Sequence, residues 1–143
     1  MKKTVLLIAI PILIALFYVV SLLITTNNEN RSIKRANLEF EYYLNKTIYG
    51  TDLTTAINKA INQNEINRIQ KDEKNYYIEN EENSIKIEVK MQTINKIYPM
   101  EEFYNNDMTR FVKNFNTVQF KCTSIEYHEK TGRVKKLIFE EVD

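Results

Sequence analysis

The sequence predicts an α+β protein: an N-terminal transmembrane helix, two amphipathic helices, then a small antiparallel sheet. Three observations carry this. Thr4 to Ile24 is an apolar run of 21 residues without a charge. Apolar side chains then recur at spacings of three and four as far as Ile61, the helical signature. From about Asn75 the spacing becomes two, and helices followed by strands is the α+β order.

The apolar run comes first. At about 1.5 Å per helical residue it reaches roughly 30 Å, the depth of a bilayer's hydrocarbon core. Lys2 and Lys3 precede it, as in a secretory signal, but the run exceeds the apolar stretch of a cleaved one. Thr25-Thr26-Asn27-Asn28-Glu29-Asn30 follows, with no A-x-A cleavage pattern, and the one cysteine, Cys122, lies far from any lipoprotein site. An uncleaved signal-anchor is therefore expected, with residues 4–24 in the lipid. Pro11 inside the run is a tolerated membrane-helix proline. Arg31, Lys34 and Arg35 beyond the run outnumber Lys2 and Lys3 before it. A short basic start before a long apolar run nevertheless favours an inside N-terminus and an extracytoplasmic domain.

The expected organisation is a basic N-terminus over 1–3, an anchor over 4–24, a polar linker over 25–32 and one α+β domain over 33–143. Beyond Lys3 the chain holds 18 basic and 19 acidic side chains, a net charge of −1. So even a balance gives no electrostatic case for nucleic acid as a partner. The abundance of Asn, Ile, Lys and Tyr reads as AT-rich codon usage.

Ile33, Ala36, Phe40, Leu44 and Ile48 mark the first amphipathic helix, and Gly50 stands where a C′ glycine would end it in a left-handed conformation. Thr51 or Asp52 would cap the second helix, whose apolar stripe is Leu53, Ala56, Ile57, Ala60 and Ile61. Asn62-Gln63-Asn64 would end it. Tyr76-Tyr77-Ile78 reads as a strand and Glu79 to Asn83 as a turn. Ile85, Ile87, Val89 and Met91 alternate with Lys86, Glu88 and Lys90 as in a half-buried strand. Pro99 with Met100 to Tyr104 suggests a helical turn, and Asn105-Asn106-Asp107 a loop. Val118, Phe120 and Cys122 share one strand face; the parity then shifts to Ile125 and Tyr127, which predicts a bulge near Ser124. Glu129-Lys130-Thr131-Gly132 would turn into a return strand, Val134 to Val142, with Leu137 and Phe139 inward.

Few residues suggest chemistry. Cys122, between Phe120 and Ser124 on a strand, is a small core residue first and a reactive thiol second. His128 is the single histidine, expected exposed beside the hairpin turn, with no second ligand at metal-binding spacing. Glu79, Glu81 and Glu82 lack the alternation and central glycine of a calcium loop. Glu101 and Glu102, like Glu140 and Glu141, are sequence neighbours that cannot face each other across a substrate. No catalytic, cofactor or metal residue is assigned. The aromatic residues are the richest feature: Tyr42, Tyr43, Tyr49, Tyr76, Tyr77, Tyr98 and Tyr104 serve a core, or in part an exposed patch for a protein partner.

The order of membrane helix, amphipathic helix and antiparallel sheet resembles the layout of type IV pilins and pseudopilins. Their glycine before the apolar segment and glutamate five residues in are absent, Lys3 being followed by Thr4-Val5-Leu6-Leu7-Ile8. The strings Gly50-Thr51-Asp52-Leu53, Ala56 to Ile61, Phe120-Lys121-Cys122, Tyr127-His128 and Thr131-Gly132 resemble small uncharacterised bacterial single-pass membrane proteins, a resemblance that implies no activity. The expectation is a non-enzymatic, membrane-anchored module that binds a protein or itself. The alternative is a structural subunit of a pilin-like or secretion assembly.

Overall fold

The computed structural model describes residues 2–105 and 108–142. Asn106 and Asp107, part of the expected loop, lie outside the described residues. Two compact units emerge, Met1–Arg35 and Ala36–Asp143.

Helix α1, Lys2–Glu41, is one continuous helix of 40 residues with Pro11 inside it. Its stretch Ile10–Glu41 contains the one window, among the described residues, long and apolar enough to cross a membrane. Residues 25–32, polar and readable from sequence as either a juxtamembrane linker or a solvated helical extension, are helical. The hydroxyls of Thr25 and Thr26 turn back to donate to the Ser21 and Leu22 carbonyls, each at 3.0 Å. Their side chains thus need no solvent partner.

In the second unit the first helix ends earlier than its apolar spacing predicts. At the end of α1 the chain tightens, Tyr43, Leu44 and Lys46 donating to the carbonyls three residues back, and Asn45 takes a left-handed φ of 60°. Asn45 N–H then donates to the Cys122 carbonyl at 2.9 Å and Lys46 O accepts from Cys122 N–H at 3.1 Å, so the segment joins a sheet edge. Leu44 is therefore exposed and Ile48 sits in strand β1, Thr47–Tyr49, not on a helix. Thr-Ile-Tyr is a β-forming triplet, and local strand propensity with a free sheet edge outweighs two residues of helical spacing.

Helix α2 covers Gly50–Ile66 and buries Leu53, Ala56, Ile57, Ala60 and Ile61, the predicted stripe, together with Asn64. Gly50 starts this helix and does not end the previous one. Tyr49 is the N-cap, without a side-chain bond, so neither Thr51 nor Asp52 caps it. The expected stop at 62–64 also moves outward, because Asn64 is a bonded core residue. Tyr77 makes only a single bridge to Lys71, and the expected strand at 76–78 does not form.

Strands β2 (Lys86–Met91) and β3 (Lys96–Pro99), helices α3 (Met100–Asn105) and α4 (Met108–Phe115), and strands β4 (Gln119–Tyr127) and β5 (Val134–Val142) follow. The sheet order is β1-β4-β5-β2-β3. The α+β class stands; among the described residues the named strands pair antiparallel except β2 with β5, where Val89 lies opposite Phe139 in parallel register, and the single bridge Leu44–Cys122 is parallel too. The expected bulge is present as a register shift between Cys122 and Ser124. Gly132, with φ of 66°, turns the hairpin.

One sheet face carries Ile87, Val89, Phe120, Cys122, Leu137 and Phe139 into a core shared with α2, Phe40 and Tyr43. The other is charged, with Lys90 paired to Glu140 and Lys136 to Glu88, both at 2.8 Å.

Candidate functional site

The helical turn expected at Met100 to Tyr104 is α3, whereas β3 and α4 have no counterpart among the sequence expectations; together these three elements build an aromatic groove. Met108, Phe111, Val112 and Phe115 recur at three, four and seven, so α4 is amphipathic; this helical signal is present in the sequence although short. Phe111 is the buried anchor. Its ring lies 4.6 Å from Phe103, 5.0 Å from Phe115 and 6.3 Å from Phe120, the last a core residue. Tyr98 of β3 extends the row to Phe103 at 5.7 Å. These centroid distances are those at which aromatic rings attract edge-on or offset.

Over this row lies a groove of about 410 Å³ lined by Met91, Ile94, Tyr98, Phe103, Phe111 and Phe115, with Glu102, Arg110 and Asn114 also at its wall. Tyr98, Phe103 and Phe115 are half-buried, and Ile94 is exposed. Lys96 stands 4.2 Å over the Tyr98 ring. The groove thus has an apolar floor with one cation, one anion and an amide at its wall.

The tyrosines do not gather into one patch. Tyr43 and Tyr77 are buried, while Tyr42, in the turn after α1, Tyr49 of β1 and Tyr104 of α3 are exposed. Tyr77 donates its hydroxyl to Glu65, which Lys71 also binds at 2.7 Å. Burial and this bond push the Tyr77 phenol up to about 12.

His128 is a correction. It is 3 % exposed, not a solvated turn residue. Its Nε2 lies 2.7 Å from the Ser84 carbonyl, which can only accept, so the proton resides on Nε2. A polar cleft of about 910 Å³ beside it is lined by Glu81, Glu126, Glu129, Lys130 and Lys135. Lys130 pairs with Glu81, and Lys135 with Glu79 at 2.8 Å. With its Nε2 spent on Ser84, the imidazole fastens a hairpin to a loop. Cys122 is fully buried and accepted into the core, and desolvation pushes its thiol up to about 11.

Glu101 is buried at the start of α3 and accepts from the Tyr77 N–H at 3.3 Å. Desolvation raises its carboxyl above the ordinary range, against the bonds it accepts. Among the described residues no three His, Cys, Asp or Glu side chains are placed to hold a metal ion. No protein-family model, curated protein or solved structure matches the chain.

Proposed function

We propose that this chain is a membrane-anchored, non-enzymatic protein that faces the extracytoplasmic side and seats a protein partner in the aromatic groove. The observation that carries the partner is the groove itself: four aromatic rings, only one of them buried, with Arg110 at the rim. Aromatic residues and arginine dominate the energetics of protein interfaces, because they bury large area at little entropic cost. The anchor rests on the uncharged run of 21 residues and the helix that contains it. Its side rests on Lys2 and Lys3 ahead of that run. The non-enzymatic part rests on the sequence, where no nucleophile has a base at workable spacing.

A photo-crosslinking side chain at Tyr98 should join the full-length protein to one discrete species in intact membranes. The same group at Tyr49, exposed on the opposite sheet edge, should not. Phe103→Asp should abolish the Tyr98 product. A ladder of self-crosslinked species would instead favour the assembly reading, which gains from the continuity of α1 through its apolar and polar halves. Equal products at Tyr98 and Tyr49 would sink the groove. The side is read separately: a membrane-impermeant thiol reagent should label Asn28→Cys in intact cells. The native thiol does not compete, since Cys122 is buried.

A further inference from the structure

The continuous helix gives three cations a fixed place. Arg31, Lys34 and Arg35 fall in the segment that the sequence assigns to a linker and the start of the domain, yet all three lie in the same unbroken helix as the apolar run. At about 100° per residue, positions 31, 34 and 35 share an arc of roughly 100°. Glu29, the one acid between Ile24 and Arg35, lies about 160° from Arg31 on that wheel, outside the arc. All three cations are exposed, and none pairs with a carboxylate among the described residues.

Height matters as much as direction. Counting about 1.5 Å per residue from Ile24, the three charges stand roughly 10–16 Å beyond the last apolar residue. Headgroups reach several ångströms past the hydrocarbon core, and arginine and lysine side chains are long enough to reach back toward them. Thr25 and Thr26 bond their hydroxyls within the helix, so it can leave the apolar layer there without an unpaired group.

We propose that Arg31, Lys34 and Arg35 form a lipid-reading face that binds the phosphates of anionic phospholipid headgroups and so sets the depth and tilt of the helix. The proposal rests on the membrane-anchor reading above. Its chemistry is charge complementarity: guanidinium and ammonium donors meet phosphate oxygens, with attraction screened within a Debye length. A flexible linker would let the three charges scatter in water; a continuous helix holds them on one side at one level.

The chain contains no tryptophan, so single replacements report without background. Full-length protein carrying Phe17→Trp or Ser32→Trp would be placed in phosphatidylcholine vesicles with and without phosphatidylglycerol. Phe17→Trp should be quenched by lipids brominated in the acyl chain in both vesicles. Ser32→Trp should be quenched more strongly by headgroup nitroxides once phosphatidylglycerol is present. That gain should be lost at high salt and in the variant R31Q/K34Q/R35Q, whose helical content by circular dichroism should be unchanged. Quenching of Phe17→Trp with no phosphatidylglycerol response at Ser32→Trp would overturn the lipid face and leave the anchor standing. No acyl-chain quenching of Phe17→Trp would overturn the anchor, and this proposal with it. A response at Ser32→Trp that low-millimolar inorganic phosphate abolishes in the mixed vesicles, where sodium chloride at matched ionic strength does not, would assign the cluster to free phosphate and overturn the lipid reading.

Discussion

Two regions of the α+β unit are held by different means. Where α1, α2, the 80–85 loop and the β4–β5 hairpin meet, amides and an imidazole fix the backbone. Asn64 brackets Ile85, its Nδ2 donating to Ile85 O and its Oδ1 accepting from Ile85 N–H, both at 2.8 Å. Asn37 does the same across the hairpin, donating to Gly132 O at 2.8 Å and accepting from Val134 N–H at 2.9 Å. Asn80 accepts from three successive backbone N–H groups, and His128 binds Ser84. Where β3, α3 and α4 meet, the fastening is a row of rings. Directional bonds fix a register, and a one-residue slip would orphan every partner. Ring packing fixes proximity and leaves a face open. The bonded region is scaffold, and the packed region holds the groove proposed above as the partner's seat.

The sharpest way to break this contrast is Asn64→Leu. Leucine keeps the approximate size and shape of asparagine but has no donor or acceptor, so Ile85 N–H and C=O are left buried and unpaired. At about 1–3 kcal/mol for each orphaned group, the loss should be about 3 kcal/mol. Urea denaturation of residues 27–143, which should be soluble and folded once the apolar run is removed, reads it at unchanged m-value. A loss of less than about 1 kcal/mol would mean that packing, not the bracket, holds the 85 region.

Gly50 joins the two regions, since it opens α2 against the backbone of α4. A Cβ on Gly50 would overlap the Phe115 carbonyl, whereas its φ is not in the left-handed range. Gly50→Ala should therefore cost about 2 kcal/mol, the scale of forcing extra volume into a packed site. Asn separates this from a turn requirement: it tolerates left-handed φ, so it would rescue a turn glycine, but here Gly50→Asn should be worse than Ala. The same denaturation series decides it. Tolerance of Asn would return Gly50 to the hinge role that its position suggests.

These residues also show where the sequence was legible. Long periodic stripes read correctly: Leu53 to Ile61 on α2, Ile87 to Met91 on β2, and the bulge between Cys122 and Ser124. Each depends on local period, which sequence contains. What was missed depends on partners distant in the chain. Ile48 went to a strand because β4 offered an edge, and Gly50 is needed because of Phe115, 65 positions on. Asn64 reads from sequence as part of a helix stop and Asn37 carries no signal, since an asparagine bracketing a backbone 21 or 97 residues away has no local signature. The groove shares this cause. Its tyrosine was named, but Phe103 and Phe111 become a site only when two short helices meet.

The smallest effect expected is one of sign, at Glu101, where the packed region touches the 77 segment. Its carboxyl is raised above the ordinary value of 4.5 by desolvation, so the folded state binds a proton more tightly than the unfolded chain. Above the folded value both states are ionised, and burial of the charge counts fully against folding. As pH falls through the folded value toward 4.5, the native state takes up its proton first and the penalty disappears. Glu101→Gln is neutral throughout and keeps an oxygen for the Tyr77 N–H. The variant should thus be more stable than the wild type near neutrality, and the gap should close as pH approaches 4.5. Glu65 and Glu79, held below the ordinary range by lysine partners, oppose this trend in both proteins and cancel in the difference. Paired denaturation curves from pH 7 down to 4.5 read the gap directly. A wild type that is the more stable at neutral pH would mean that the ionised carboxylate is stabilised at the start of α3, and that this side of the molecule, too, is fixed by directional bonds.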